Sequence, residues 1–309
     1  MSAGSGTRAI VAALLANAGI AVAKFIGFLV TGSSSMLAES VHSVADTSNQ
    51  GLLLLGQKRA ARAATVAHPF GYGRDRYFYS FVVALLLFSL GAVFSLYEGV
   101  HKILDPHPID TPIVAFVILG VAVVLEAFSF RTAIQESTPL KGNRSWWRFI
   151  RQSTQPELPV VLLEDFGALV GLVLALLGVA LAVVTGNGVW DGVGTVAIGL
   201  LLGVIAAILI VEMKSLLIGE GADRATLAKI TGALESGQVQ RMIHIKTQYL
   251  SPDELLVAAK IALTPGLQVE QVAQTIDDAE GRIRAAVPAA RLIYLEPDLD
   301  RTPHRESGI

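Results

Sequence analysis

Two stretches of this chain, Tyr77 to Tyr97 and Phe166 to Trp190, each run about twenty residues or more without a charge, enough for a helix to cross roughly 30 Å of hydrocarbon. Gly192 to Val211 is a third. In lipid such segments must be helical, because an open strand or coil leaves its backbone polar groups unpaired. Three further segments are apolar but interrupted. Ala9 to Val30 carries Lys24 near its end, Ser34 to Gln57 carries Glu39, His42 and Asp46, and Pro112 to Ile134 carries Glu126 and Arg131. The expectation is six transmembrane helices, three of them marked by polar residues. Composition agrees, with 52% of residues hydrophobic and only 16% charged, a balance that water-soluble domains rarely show.

Basic residues set the orientation. Lys58, Arg59, Arg62, Arg74 and Arg76 lie between spans two and three, and Lys141, Arg144, Arg148 and Arg151 lie between spans four and five. By the positive-inside rule both loops are cytoplasmic. The opposite loops are nearly free of basic residues, with only Lys102 in His101 to Thr111. An even number of spans then puts both termini in the cytoplasm, and a cell (inner) membrane is the expected location. The start near Arg8 lacks a small-residue cleavage site, so span one reads as retained. Lys24 is expected to snorkel to the interface. Trp146, Trp147, Arg148 and Arg151 are expected to anchor in the headgroup layer of the lipid.

After Glu220 charged residues become frequent, which divides the chain into a membrane domain, residues 1–220, and a C-terminal domain, residues 221–309. In the second part Asp223 to Ser236 has helical spacing, and Met242 to Leu250 and Glu254 to Leu263 read as strands around a turn at Ser251 to Asp253. Val269 to Val287 reads as an amphipathic helix, and Ala290 to Glu296 is a β-rich run ending at Pro297. The order α-β-β-α-β predicts a small α+β domain with an antiparallel sheet under helices. The chain has no cysteine, so disulfides and thiolate metal sites are excluded.

The polar residues of span two are not scattered. Ser35, Glu39, His42, Asp46 and Asn49 are separated by 4, 3, 4 and 3 positions, the spacing that keeps side chains on one helical face. Met36, Val41, Val44 and Leu52 occupy the other side. Charged groups are costly in hydrocarbon and mark ion or proton pathways. His42 and Asp46 are one turn apart, so an imidazole nitrogen and a carboxylate oxygen can converge on one ion. A polar stripe can also simply hydrogen-bond helices to one another. Two carboxylates and a histidine exceed what that role needs.

The segments SSSMLAESVHSVADTSNQ, HPFGYGRDRY, LLEDFGALVG and LIYLEPD together resemble the cation diffusion facilitators, from span one to about Asp298. The resemblance is greatest to the subgroup with LLED in span five. It implies a dimeric six-span protein with a metallochaperone-like cytoplasmic domain that exports divalent transition metals in exchange for protons. It also implies a transport site with two ligands from span two, here His42 and Asp46, and two from span five. Asp165 matches one of these, but Val161 stands where the other is expected and cannot coordinate a metal. Water, Glu39 or Glu164 is then required to complete the shell. Glu164 lies about 100° around the helix from Asp165.

One imidazole with two or three carboxylates is a fairly hard donor set, open to manganese, iron(II) or cobalt as well as to zinc, the commonest substrate of the family. An unperturbed imidazole titrates near neutral pH, and a bound dication displaces its proton. Metal and protons therefore compete at His42, with Glu39 either a relay or a carboxylate bonded to a neighbouring span. His68 matches a position that can bind zinc, but Tyr72 replaces a second histidine. His244 is the only histidine within the core of the C-terminal domain, and Tyr294 and Glu296 stand where the resemblance expects histidine. Arg74 and Arg76, with Glu220, are candidates for the charge contacts that the resemblance implies between the membrane part and the cytoplasmic dimer.

A transport-inactive relative acting as a metal-binding or scaffold membrane protein is the alternative. No glycine-rich phosphate loop or nucleophile constellation is present, so no enzyme is expected. No cofactor is expected either; the partners are divalent metal ions, protons, membrane lipid and a second copy of the chain, with no nucleic acid.

Overall fold

The structure is a computed structural model that describes residues 18–299; the start of the expected first span, at Ala9, lies outside them. The chain divides into two compact units. One holds the described residues up to Arg62 together with Asp75–Lys214, and the other holds Ala63–Arg74 and the described residues from Ser215 onward. The segment containing HPFGYGR thus groups with the C-terminal part.

The first unit is helical: α1, described over Ala18–Thr31, α2 Ser34–Ala60, α3 Asp75–Leu104, α4 Pro112–Lys141, α5 Trp146–Gln152, α6 Glu157–Thr185 and α7 Val189–Ile218. Four of these, α3, α4, α6 and α7, are long and apolar enough to cross a membrane. α2 has 27 residues, about 40 Å of rise, but its polar stripe makes it too hydrophilic to qualify on composition. Many large apolar side chains on the long helices are exposed, among them Val117, Val121, Leu177 and Val204, as lipid contact requires.

α2 packs against both α3 and α6, and α4 packs mainly on α6. α3 and α7 come together along small residues. A Cβ at Gly99 would stand 2.7 Å from Val196, and one at Gly199 would stand 2.8 Å from Leu96. Glycine lets two membrane helices approach this closely. α3 carries a π-helical stretch at Leu87–Val93.

Two basic residues lie elsewhere than expected. Lys102 is not in a loop: it lies in the last turn of α3, buried, and its Nζ donates to the carbonyl of Gly32 at 2.9 Å. Lys24 does not snorkel. It is fully buried, because a carboxylate rather than a headgroup awaits its ammonium.

The second unit contains α8 Arg224–Leu234, β1 Val239–Ser251, β2 Glu254–Leu263, α9 Val269–Ala286 and β3 Ala290–Asp298. Asp223 caps α8 by accepting from Thr226 N at 2.7 Å. The strand order is β1-β2-β3. β1 and β2 form the expected antiparallel hairpin, but β3 runs parallel to β2, so the sheet is mixed rather than antiparallel. α9 is the reason: a helical crossover returns the chain to the end of the sheet from which β2 began. Leu255, Val257, Ala259 and Ile261 alternate along β2 into a core shared with Ile230, Leu234, Ala279 and Ile283. Pro297, which has no N–H to donate, sits on the outer strand β3, where the sheet tolerates it.

Candidate cation site

The start of α2 is held by a carboxylate from another helix. Asp191, in the first turn of α7 and fully buried, accepts from Ser33 Oγ at 2.8 Å, Ser34 N at 2.7 Å and Ser34 Oγ at 3.2 Å. Ser35 Oγ donates to the backbone carbonyl of Asp191 at 3.1 Å. Two effects combine here: the free N–H groups of the first turn find acceptors, and a negative charge meets the positive end of the α2 dipole. This fixes the height of α2, and with it the level of Glu39, His42 and Asp46.

Glu39 is fully buried. Its Oε2 receives Lys24 Nζ at 3.0 Å, and the same ammonium donates to Ser43 Oγ at 2.8 Å. Residue 171 of α6 is glycine, and a Cβ there would stand 2.7 Å from Glu39 Oε1, so the carboxylate would have to shift to admit one. Breaking a buried pair of this kind from one side costs about 3–5 kcal/mol, since it leaves the other charge stranded.

One turn further on, the pattern reverses. His42 Nε2 lies 3.6 Å from Asp46 Oδ2, too far for a hydrogen bond. Both ring nitrogens of His42 and Oδ1 of Asp46 are buried without a hydrogen-bond partner among the described residues. Two donor atoms on a tetrahedral ion, each about 2 Å from it, would be roughly 3.3 Å apart. The observed separation is close to that. A small cavity of about 10 Å³ touches Asp46, lined also by Ile20, Ser43 and Glu126. That is about the space of one water-sized sphere.

The carboxylates of α6 part company. Asn49 Nδ2 donates to Glu164 Oε1 at 2.6 Å, so Glu164 faces the polar stripe of α2. Asp165 Oδ2 accepts from Ser129 of α4 at 2.9 Å. The 100° between consecutive helical residues turns them to different neighbours. Among the described residues no three His, Asp or Glu side chains converge on one point, so the joining of Asp165 to His42 and Asp46 is not assembled in this conformation. Val161 packs with Ala133, Ile150 and Leu162 in an apolar cluster and offers no donor.

The other expected positions also differ from expectation. Arg74 and Glu220 are not ion-paired among the described residues. The bidentate pair forms instead between Arg76 and Glu157 within the helical unit, at 2.6 and 2.9 Å. Arg151 reaches Glu212 of α7 at 3.0 Å, so it ties helices together. His68 is exposed, packs against Tyr72 with ring centroids 4.5 Å apart and the rings tilted by 33°, and exchanges backbone hydrogen bonds with Thr65. The nearby glycine has a packing role: a Cβ on Gly73 would stand 2.6 Å from Ser251. His244 lies opposite Lys260 on the sheet, in a cleft of about 500 Å³ that also holds Lys246. Glu280 and Glu296 line the same cleft, so its charges are mixed. Lys260 itself bonds Glu296 at 3.1 Å and Asp298 at 3.2 Å, and these contacts raise its pKa above the ordinary lysine value.

Sequence reasoning overlooked Ser129, Gly171, Asp191 and the pairing of Lys24. Only the lysine gave a signal, since a cation placed well inside an apolar segment calls for a counter-charge.

Long apolar helices, with a buried imidazole and a partly buried carboxylate on one face that make no hydrogen bond among the described residues, define an integral membrane protein with a cation-sized site. Residues 10–218 match the cation efflux transmembrane domain, and the chain belongs to that family, the cation diffusion facilitators, whose members are transporters and not enzymes. Over 224 residues it is 35% identical to the proton-coupled zinc antiporter SLC30A9, mitochondrial, of Mus musculus, covering 72% of this chain and 39% of that one. Over 257 residues it is 30% identical to metal tolerance protein C4 of Arabidopsis thaliana, covering 82% of this chain and 56% of that one. The chain therefore spans between about two-fifths and just over half the length of these curated relatives. A solved structure, the nickel form of a MamM C-terminal domain variant, aligns with 26% of this chain and 100% of its own at 16% identity and a TM-score of 0.24.

Proposed function

We propose that this chain exports divalent transition-metal cations from the cytoplasm in exchange for protons, with zinc the first substrate and manganese, iron(II) or cobalt admitted by the same donor set. The observation that carries this reading is the pair His42, buried, and Asp46, partly buried, on one helical face and 3.6 Å apart, with ring nitrogens and a carboxylate oxygen that no other described side chain hydrogen-bonds. The name of the mouse relative supports zinc and protons as the exchanged ions. His42 and Asp46 form the core of the site, and Asp165 or Glu164 joins them when α6 turns or slides against α2. A dication arriving at His42 displaces the imidazole proton, so an inward proton gradient drives metal outward. On this reading the membrane part, residues 1–220, spans six times with both termini in the cytoplasm of a cell whose inner membrane holds it. Residues 221–309 form a metallochaperone-like dimerisation module.

Reconstituted vesicles with an imposed pH gradient test the proposal. The wild type is expected to move zinc against a metal-sensitive dye, and Asp46→Ala to move none. If the wild type transports none of zinc, manganese, iron(II) or cobalt, the second reading gains: a transport-inactive metal-binding or scaffold protein, favoured by Val161 at a ligand position.

A further inference from the structure

Lys24 and Glu39 form a buried ion pair on the stripe that carries the candidate site, through Glu39 Oε2, while Oε1 lies against Gly171 without a hydrogen-bond partner among the described residues. Both side chains have no exposure, the ammonium bonds Glu39 Oε2 at 3.0 Å and Ser43 Oγ at 2.8 Å, and Gly171 leaves room for the carboxylate and little else. Glu39 lies three positions before His42, on the same face, and Ser43 lines the small cavity that Asp46 shares with Glu126. The ammonium therefore stands between the Glu39 carboxylate, on the same helical face as His42 and Asp46, and Ser43 in the wall of the small cavity.

We propose that Lys24 is a charge-setting positioning residue: a tethered cation that withholds Glu39 from the metal and keeps the site from accumulating negative charge beyond what a dication balances. Ligand charge count tunes the affinity of a cation site, and a transported ion must bind weakly enough to leave. With Glu39 neutralised in place, His42 and Asp46 are the ligands that α2 supplies. The fourth partner missing at Val161 then comes from α6 or water, not from Glu39. The location of the metal rests on the reading under Proposed function.

The test uses the full chain in detergent, with zinc affinity measured by competition against a chromophoric chelator. Glu39→Gln leaves the ammonium uncompensated next to the site, and zinc binding is expected to weaken on the order of tenfold. Lys24→Met/Glu39→Gln removes both charges while keeping both shapes, and affinity is expected to return to within about threefold of wild type. A merely structural pair would not produce that rescue of affinity. If the double variant binds zinc as weakly as Glu39→Gln, Glu39 is a ligand and the proposal is wrong. An unchanged affinity in Glu39→Gln also overturns it, since the ammonium then exerts no field on the metal. Should Glu39→Gln fail to fold, the double variant decides alone, because a ligand lost from Glu39 weakens it and a withheld carboxylate does not. Asp46→Asn separates the two levels: if it binds zinc like the wild type, the metal lies elsewhere and both readings fall. Zinc binding without transport by the wild type would defeat the transport reading while leaving the affinity series to judge Lys24.

Discussion

The first and second halves of the polar face of α2 are built alike in sequence and differently in structure. From Ser33 to Glu39 each charge meets an opposite charge or dipole: Asp191 meets the first turn, and Lys24 meets Glu39 Oε2, although Glu39 Oε1 has no hydrogen-bond partner among the described residues. From His42 to Asp46 the imidazole is buried and the carboxylate partly so, yet both imidazole nitrogens and Asp46 Oδ1 lack hydrogen-bond partners among the described residues. Burial of an unpaired polar group is expensive. Glu39 and Asn49 each keep one unbonded polar atom beside a bonded one, whereas the His42 and Asp46 side chains make no hydrogen bond among the described residues, which leaves these two free for a ligand. The contrast separates the structural part of the stripe from the functional part, which spacing alone could not do.

The largest effect that would sharpen this contrast is on transport. Asp46→Ala or His42→Ala is expected to lower zinc flux in vesicles by on the order of a hundredfold or more, while the thermal midpoint in detergent stays the same or rises. A variant at either position that unfolds the protein and keeps its flux per folded molecule would erase the distinction. Asp191→Ala should do the reverse. It strips several hydrogen bonds to a buried charge at once, and destabilisation of about 2–4 kcal/mol is expected, read as a lowered thermal midpoint. The zinc affinity of the protein that remains folded should be that of the wild type. A selective loss of affinity with stability intact would move Asp191 into the site.

Three uninterrupted apolar runs named α3, α6 and α7, because length and the absence of charge are properties of a single segment; of the three interrupted segments that completed the expected six spans, only α4 is apolar enough over the described residues to qualify as well. The same holds for the 4, 3, 4 and 3 spacing that put Glu39, His42 and Asp46 on one face. What the sequence did not disclose belongs to pairs of segments. Lys24 reads as a snorkelling lysine until α1 is set beside α2 at a height that brings its ammonium to Glu39. Asp165 and Glu164 are adjacent letters, and only the rotation of α6 decides that one bonds Ser129 and the other Asn49. In the C-terminal unit the strands were legible from alternation, but the parallel placement of β3 depends on which edge of β2 the crossover helix returns it to.

The smallest expected effect extends the comparison to a cluster outside the membrane helices. Lys260 on β2 bonds Glu296 and Asp298 on the neighbouring strand, so its charges are answered, as those of Glu39 are, but within reach of water. Exposed pairs of this kind contribute little. The bonds to Glu296 and Asp298 raise the lysine pKa above its ordinary 10.5. A raised lysine pKa means that the charged form is favoured by folding. The contribution is therefore complete below the unfolded value and disappears as pH climbs through the folded one. Urea unfolding of the whole chain in detergent, followed by far-ultraviolet circular dichroism, reads the C-terminal unit first, since the membrane helices resist urea. Lys260→Met should lower the midpoint slightly near pH 8 and converge with the wild type as pH rises past about 10.5. A gap that persists to about pH 12 would mean that the aliphatic stem of Lys260, packed against the sheet, and not its ammonium, supplies the difference.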